Sequence, residues 1–256
     1  MSALPPTLLS EALDDPRLRD VRLVATDVDG TLTTGGTITP EVVSTIERLC
    51  AAGLAVLPVS GRSAGEILGL VRYLPGLRHG IAENGQVLVA PDRAVRRLRS
   101  EAPRSELEEA AHTIAAELGD PLVLAPDAFC RAGDLAFERA GRPDEAIEPF
   151  RAAAIERGLH CIWSSVHIHF SHTAPDKGAA LLELLPEWGI DPSEVVAIGD
   201  APNDEGLFDR SRFGLSVGTA DVRNSLDVMA HAPERICMGR EAQAFLELAS
   251  ALLSAR

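Results

Sequence analysis

Short apolar runs that end in acidic or small-residue turns, each followed by a helix-periodic stretch, recur at both ends of this chain and not in its middle. Residues 21–25 form a β-branched run that stops at an acidic turn, which predicts a buried strand. Thr39, Pro40 and Glu41 then supply an N-cap, a proline at the first helical position and an early carboxylate. Val42, Val43, Ile46, Leu49 and Cys50 recur at helical spacing, and Gly53 closes the helix. A strand at 54–59, a helix at 63–73 and a short strand into Ile81 continue the rhythm. It resumes at 176–185 (helix), 195–198 (strand), 202–209 (helix), 213–217 (strand), 221–226 (short helix) and 240–252 (helix). Strands alternating with helices in this way close into a parallel, doubly wound α/β sheet.

The middle follows another pattern. A strand at 86–90 and a polar, basic stretch precede a helix at 105–118, strands at 121–125 and 135–139, a helix at 143–157 and strands at 159–164 and 166–171. Pro149 falls inside the second helix, where it removes a backbone donor. This α-β-β-α-β-β order is antiparallel α+β, so it predicts a cap inserted into an α/β core. The expected layout is a leader at 1–20, a Rossmann-like core at 21–85 and 172–256, and the cap at 86–171.

A formal net charge of −14 disfavours nucleic acid and anionic lipid as partners. No apolar run approaches the length that spans a bilayer, and the N-terminus lacks the pattern of a secretory signal. Cys50, Cys130, Cys161 and Cys237 are scattered without a paired spacing, which reads as reduced thiols in the cytoplasm. A monomer or homodimer is expected. The chain's 24 basic residues include a single lysine, Lys177. In an arginine background this strong, the exception asks for a chemical reason, and the two side chains differ most where a compact point charge is needed.

Four segments carry chemistry. Asp27-Val28-Asp29-Gly30-Thr31-Leu32 sits at the carboxyl end of the first core strand, where open α/β sheets bind ligands. Its carboxylates are two apart on extended chain and share a side. A calcium loop is ruled out, because its closing position is the apolar Ile38. Gly199-Asp200-Ala201-Pro202-Asn203-Asp204 ends a later strand and opens a helix, so Asp200 and Asp204 are candidates to join Asp27 around one hard cation. Ser60-Gly61-Arg62 supplies a hydroxyl and backbone N–H groups at a helix start. Lys177 opens a helix behind the N-cap candidate Asp176, which is an unfavourable place for a cation unless it neutralises nearby anions. Taken singly, the first also reads as a plain turn, and the second and third as ordinary helix caps.

In this order and spacing the four segments resemble the motifs of the haloacid dehalogenase superfamily, from about residue 20 to the C-terminus. The cap pattern and the run Ile81-Ala82-Glu83-Asn84-Gly85 look like its type IIB cap subgroup, which includes archaeal-type phosphoglycolate and sucrose-phosphate phosphatases. The resemblance implies a phosphatase acting on a small phosphate ester with Mg²⁺. Asp27 is then the nucleophile and forms an aspartyl phosphate, while Asp29 is the general acid and base. The metal set is Asp27, Asp29 through its backbone carbonyl, Asp200 and Asp204, the last adjacent or in contact. Ser60, Gly61, Lys177 and Asn203 bind phosphate. Dehalogenases of the superfamily lack the second aspartate, so Asp29 favours phosphoryl transfer. The resemblance also allows a phosphomutase or phosphotransferase, and an aspartate-phosphorylated signalling module is a further reading.

The cap sets the leaving group in this picture. Candidates for substrate contact are Arg62, Asn84, Arg131 and His169. Arg131 has the fork to pair with a carboxylate, and reads equally as a solvated surface arginine. His167 and His169 alternate on one strand face. With His172 they also form a pattern open to a transition metal.

Overall fold

The computed structural model describes residues 5–256 apart from positions 91, 93, 100, 101 and 165. In chain order its elements begin with β1 (Thr7–Leu8), α1 (Arg17–Asp20), β2 (Leu23–Thr26), α2 (Pro40–Ala51), β3 (Ala55–Pro58), α3 (Ala64–Tyr73), β4 (Gly80–Ala82), β5 (Val87–Val89) and β6 (Val95–Arg97). The cap elements are α4 (Arg104–Leu118), β7 (Asp134–Glu138), α5 (Asp144–Glu156), β8 (His160–Trp163) and β9 (His167–Ser171). The chain closes with α6 (Lys177–Trp188), β10 (Val195–Gly199), α7 (Glu205–Phe208), β11 (Leu215–Gly218), β12 (Arg235–Ile236) and α8 (Ala242–Ser254).

Among the described residues the central sheet runs β1-β12-β11-β10-β2-β3, with every pairing parallel. Its middle strands are apolar on both faces because helices cover both. Val24, Val196 and Ile198 pack towards α2, α3 and α8, while Leu23, Ala25, Val195 and Ala197 pack towards α6. This is the doubly wound α/β arrangement that the strand–helix rhythm implies. Local signals fix the helix starts: Thr39 accepts the N–H of Val42, and Ser63 with Glu66 forms a reciprocal capping box.

In the cap, β7-β9-β8 form an antiparallel sheet. Ile168 and Phe170 of β9 join Leu107, Ile114, Ile147 and Phe150 of the two cap helices in one apolar cluster. The alternate residues His167 and His169 therefore look the other way, towards the core. α5 runs unbroken through Pro149, held by burial of Ile147, Phe150 and Ala154.

Some elements differ from expectation. The strand expected at 121–125 is reduced to one bridge, Leu124 to Phe137, because Pro121 and Pro126 bound it and neither has an N–H to extend a ladder. The helix expected at 202–209 is a 3₁₀ turn, Pro202–Asp204, followed by the short α7. The strand β5, expected at the start of the cap, pairs with β4 and in turn carries β6, and Leu88 packs in the core cluster around α6. Within the expected leader, Thr7 and Leu8 form the edge strand β1 and Leu9 and Leu18 are buried; positions 1–4 lie outside the described residues. Among the described residues no helix is long and apolar enough to cross a membrane.

Candidate active site

The central strands β2 and β10 deliver the two acidic segments side by side. Their register aligns Thr26 with Ile198, and the N–H of Asp27 donates to the carbonyl of Ile198 at 2.9 Å. Gly30 turns the chain at φ +75°, and a Cβ there would stand 2.5 Å from Asp200 Oδ2. Side-chain-free backbone at 30 is what lets the two acidic loops touch.

Lys177, the first residue of α6, reaches into this crowd. It is fully buried, and its Nζ donates to Asp27 Oδ1 and Asp204 Oδ1, both at 2.6 Å. Asp176 caps the helix by accepting the N–H of Ala179. Asp204 Oδ2 accepts the N–H groups of Asp200 and Ala201, so both of its oxygens are committed. A Cβ at Gly199 would come within 2.4 Å of that same oxygen. By contrast, among the described residues the Asp200 carboxylate receives one long contact, from the Thr31 hydroxyl at 3.4 Å.

Asp27, Asp200 and Asp204 offer oxygens that all lie within 4.8 Å of one another. One ammonium does not balance three carboxylates, of which Asp27 and Asp204 are buried and Asp200 half-buried. Burial pushes Asp27 up to about 7 against the pull of Lys177, with Asp204 adding to the rise. Burial, Asp204 and Asp27 push Asp200 up to about 9. Burial works against the charge on Lys177, but Asp204 and Asp27 overcome it and hold the ammonium above its ordinary value. The donor set is all oxygen and over-supplied with negative charge, which fits a hard divalent cation such as Mg²⁺. Asp27 and Asp200 have the freer oxygens, whereas Asp204 shapes the loop and holds Lys177.

The third segment lies alongside. Ser60 is buried, its N–H donates to Ile81 O at 2.9 Å, and its hydroxyl accepts the N–H of Arg62 at 3.2 Å. Asn84 donates its N–H to Ser60 O at 3.0 Å, and its side chain lies against Gly61. Asn203 Nδ2 donates to Asn84 Oδ1 at 3.4 Å, so Asn84 links the Gly199–Asp204 segment to the Ser60 segment.

Two arginines are paired with carboxylates: Arg62, which lines the cavity, and Arg131, which does not. Arg62 grips Asp29 with both arms, at 2.6 and 2.7 Å, and also bonds Glu66 at 2.9 Å. Arg131, expected against substrate, has a fully buried side chain that does not line the cavity. Its guanidinium bonds Asp134 and Asp127, both at 2.7 Å, and the carbonyl of Gly61 at 3.2 Å. A buried guanidinium needs countercharge at hand, and two aspartates three and four positions away supply it. His169 does line the cavity, with Nδ1 at 2.9 Å from Asp134 Oδ2. That bond occupies one ring nitrogen, and His167 stands beside it with ring centroids 5.9 Å apart. Among the described residues, the acidic trio is the cluster that brings three ligand atoms together. Glu83 and Asp134 are participants that the sequence does not advertise. Their only trace is the run Ile81–Gly85 for the first and the Asp127, Arg131, Asp134 spacing for the second.

The whole arrangement opens into one cavity of about 1130 Å³ between cap and core, lined among others by Asp27, Asp29, Ser60, Asn203, His167 and His169.

A sequence model of the haloacid dehalogenase-like hydrolases matches residues 24–120 and 135–230. A phosphoglycolate phosphatase from Methanoculleus marisnigri is 32% identical over 214 residues, covering 79% of this chain and 86% of its own. One from Pyrobaculum neutrophilum is 29% identical over 238 residues, covering 91% and 96%. The crystal structure of Thermoplasma acidophilum 0175 superposes with a TM-score of 0.75 at 20% identity, over 92% of this chain and 99% of that one; at this identity it speaks to fold alone.

Proposed function

The chain belongs to the haloacid dehalogenase-like hydrolases, and from that premise we propose that it is a Mg²⁺-dependent phosphatase that hydrolyses a small phosphomonoester, of the phosphoglycolate or sugar-phosphate class, through an aspartyl phosphate at Asp27. The observation that carries this reading is the convergence of Asp27, Lys177, Asp200 and Asp204 within hydrogen-bonding or ion-sharing distance, although the chain separates Asp27 from Lys177 by 150 positions. The names of the curated relatives support the substrate class.

In this reading an oxygen of Asp27 attacks phosphorus, and the P–O bond to the leaving alcohol breaks. Asp29 gives that alcohol its proton, then takes one from the water that cleaves the acyl phosphate and regenerates Asp27. Arg62 holds Asp29 in place and pairs the charge that Asp29 carries while the aspartyl phosphate stands. The Lys177 ammonium lowers the repulsion between the Asp27 carboxylate and an incoming phosphate. Ser60 and the N–H groups of its loop, which line the cavity, bind the non-bridging oxygens, while the buried Lys177 acts on them through its charge behind Asp27. Asp27 and Asp200 are the residues that would hold Mg²⁺, together with the Asp29 carbonyl; when bound, the ion neutralises charge on the transferring phosphoryl group. The cap face bearing His167 and His169 closes over the leaving group and limits bulk water.

The test is release of inorganic phosphate from a panel of esters (2-phosphoglycolate, sugar phosphates, phosphoglycerates, nucleotides) in the presence of Mg²⁺. Asp27→Asn is expected to abolish release on every ester while its melting transition stays cooperative. A variant that keeps turning over would remove Asp27 from the nucleophile's role.

A further inference from the structure

A chain of buried polar contacts that the chemistry above leaves unused runs from the core into the cavity. It begins at Glu83, which is fully buried at φ +54°. Glu83 Oε1 accepts the N–H groups of Ala64 and Ala132, both at 2.9 Å. Oε2 accepts those of Gly133 at 2.6 Å and Asp134 at 2.9 Å. Ala64 starts the core helix α3, and residues 132–134 lead into the cap strand β7. One carboxylate thus fixes the start of a core helix and the start of a cap strand on the same pair of oxygens.

The next link is the Asp134 side chain, also buried. Arg131 Nη1 lies 2.7 Å from one oxygen and His169 Nδ1 2.9 Å from the other. Burial raises the Asp134 pKa, but Arg131 and His169 outweigh it and hold the group below its ordinary value. An ionised carboxylate only accepts, so Nδ1 of His169 carries the hydrogen. The remaining ring nitrogen, Nε2, is the polar atom that His169 has left to offer the cavity it shares with Asp27 and Ser60. Neutral, Nε2 accepts from a hydroxyl; protonated, it donates to a carboxylate. The nearby arginines are spoken for: Arg62 by Asp29, Arg139 by Asp144 and Arg212 by Asp176.

We propose that His169 is the specificity-determining residue of the cap, that it recognises an oxygen substituent (hydroxyl or carboxylate) on the leaving group, and that Asp134, gripped from the core by Glu83, is the positioning residue that aims it. This rests on the phosphatase reading and adds the feature of the substrate that is read. Asp134 fixes the tautomer and ring orientation, Glu83 fixes where Asp134 stands, and Arg131 ties both to the phosphate loop through Gly61 O.

The test compares 2-phosphoglycolate, glycerol 1-phosphate and p-nitrophenyl phosphate with Mg²⁺. The first two carry an oxygen substituent next to the ester carbon, and the third does not. Wild type is expected to prefer one of the first two in kcat/KM, and the faster one identifies carboxylate or hydroxyl as the group read. His169→Ala should lower kcat/KM for that ester at least about tenfold more than for p-nitrophenyl phosphate. His169→Gln should retain more of the preference than His169→Ala. Asp134→Asn should act in the same direction, mainly through KM, and the double variant with His169→Ala should be no worse than the worse single variant. Equal losses on all three esters, or losses at 134 and 169 that multiply, overturn the inference. Should Asp134→Asn fail to fold, the two His169 variants decide alone. A wild type that cleaves p-nitrophenyl phosphate with no preference for the other esters sinks this inference and leaves the phosphatase reading standing. A wild type inert on these three and on the rest of the ester panel sinks both.

Discussion

Lys177 is held by two ion pairs at 2.6 Å in a place with no access to water. A guanidinium has the same charge but is broad and planar, and it cannot occupy a point equidistant from two carboxylates that close together. Lys177→Arg is therefore expected to lower kcat on any substrate by about 100-fold or more, measured as phosphate release at saturating ester. Lys177→Met leaves two buried carboxylates without a partner and should cost about 3–5 kcal/mol in urea unfolding. A near-normal rate for the arginine variant would remove the chemical account of the solitary lysine. This residue was legible in the sequence because it is an exception to the chain's own composition. Asp27 and Asp200 were legible because each sits in a compact acidic run at the end of an apolar strand. Arg131 was not. Its neighbours Asp127 and Asp134 look like a polar loop, and what buries them is the grip of Glu83 on N–H groups 49 to 51 positions away. A side chain reaching distant backbone leaves no period and no spacing to read.

Elements were legible where local chemistry starts them and tertiary packing agrees. The helices capped by Thr39, Ser63 and Asp176 begin where those residues place them. The edge strand β1 was not legible, because its ladder is with β12, far away in the chain. The turn between β4 and β5 carries Glu83, Asn84 and Gly85 in succession at φ +54°, +52° and +97°. Backbone of this kind persists only when its surroundings enforce it. Burial, then Asp134, pushes Glu83 from an ordinary 4.5 up to about 7, although the N–H groups of Ala132, Asp134 and Gly133 pull the other way. A carboxyl raised on folding contributes stability that is complete below its unfolded value of 4.5 and is lost as pH rises through about 7. Wild type should accordingly lose on the order of 2–3 kcal/mol from this group between about pH 5 and about pH 8. Glu83→Gln should be less stable at the lower pH but should lack this slope, as urea unfolding at the two pH values will read. An equally steep decline in both proteins would mean that Glu83 is ionised throughout.

At the scale of the whole molecule, folding gathers negative charge against its own interest. The chain carries −14 overall, and the sheet edge sets Asp27, Asp200 and Asp204 within 4.8 Å of one another with one ammonium between them. Like charges this close oppose the folded state wherever nothing offsets them. A divalent cation bound there stabilises the native form by mass action, by about 2.7 kcal/mol at one hundred times its Kd. For a chain of this size that corresponds to a rise in Tm of roughly 5–10 °C. Asp200 has the least committed carboxylate of the three, so Asp200→Asn removes a ligand and relieves crowding in the same step. It is expected to melt above wild type in EDTA, by on the order of 1–3 kcal/mol of added stability, yet to gain little from added Mg²⁺ and to release no phosphate. Thermal scans of both proteins with EDTA and with Mg²⁺ separate these effects. If the Asn variant keeps the full Mg²⁺ shift, the ion binds elsewhere. If it melts below wild type without metal, the carboxylates are not in conflict, and the need for a cation at this edge loses its physical basis.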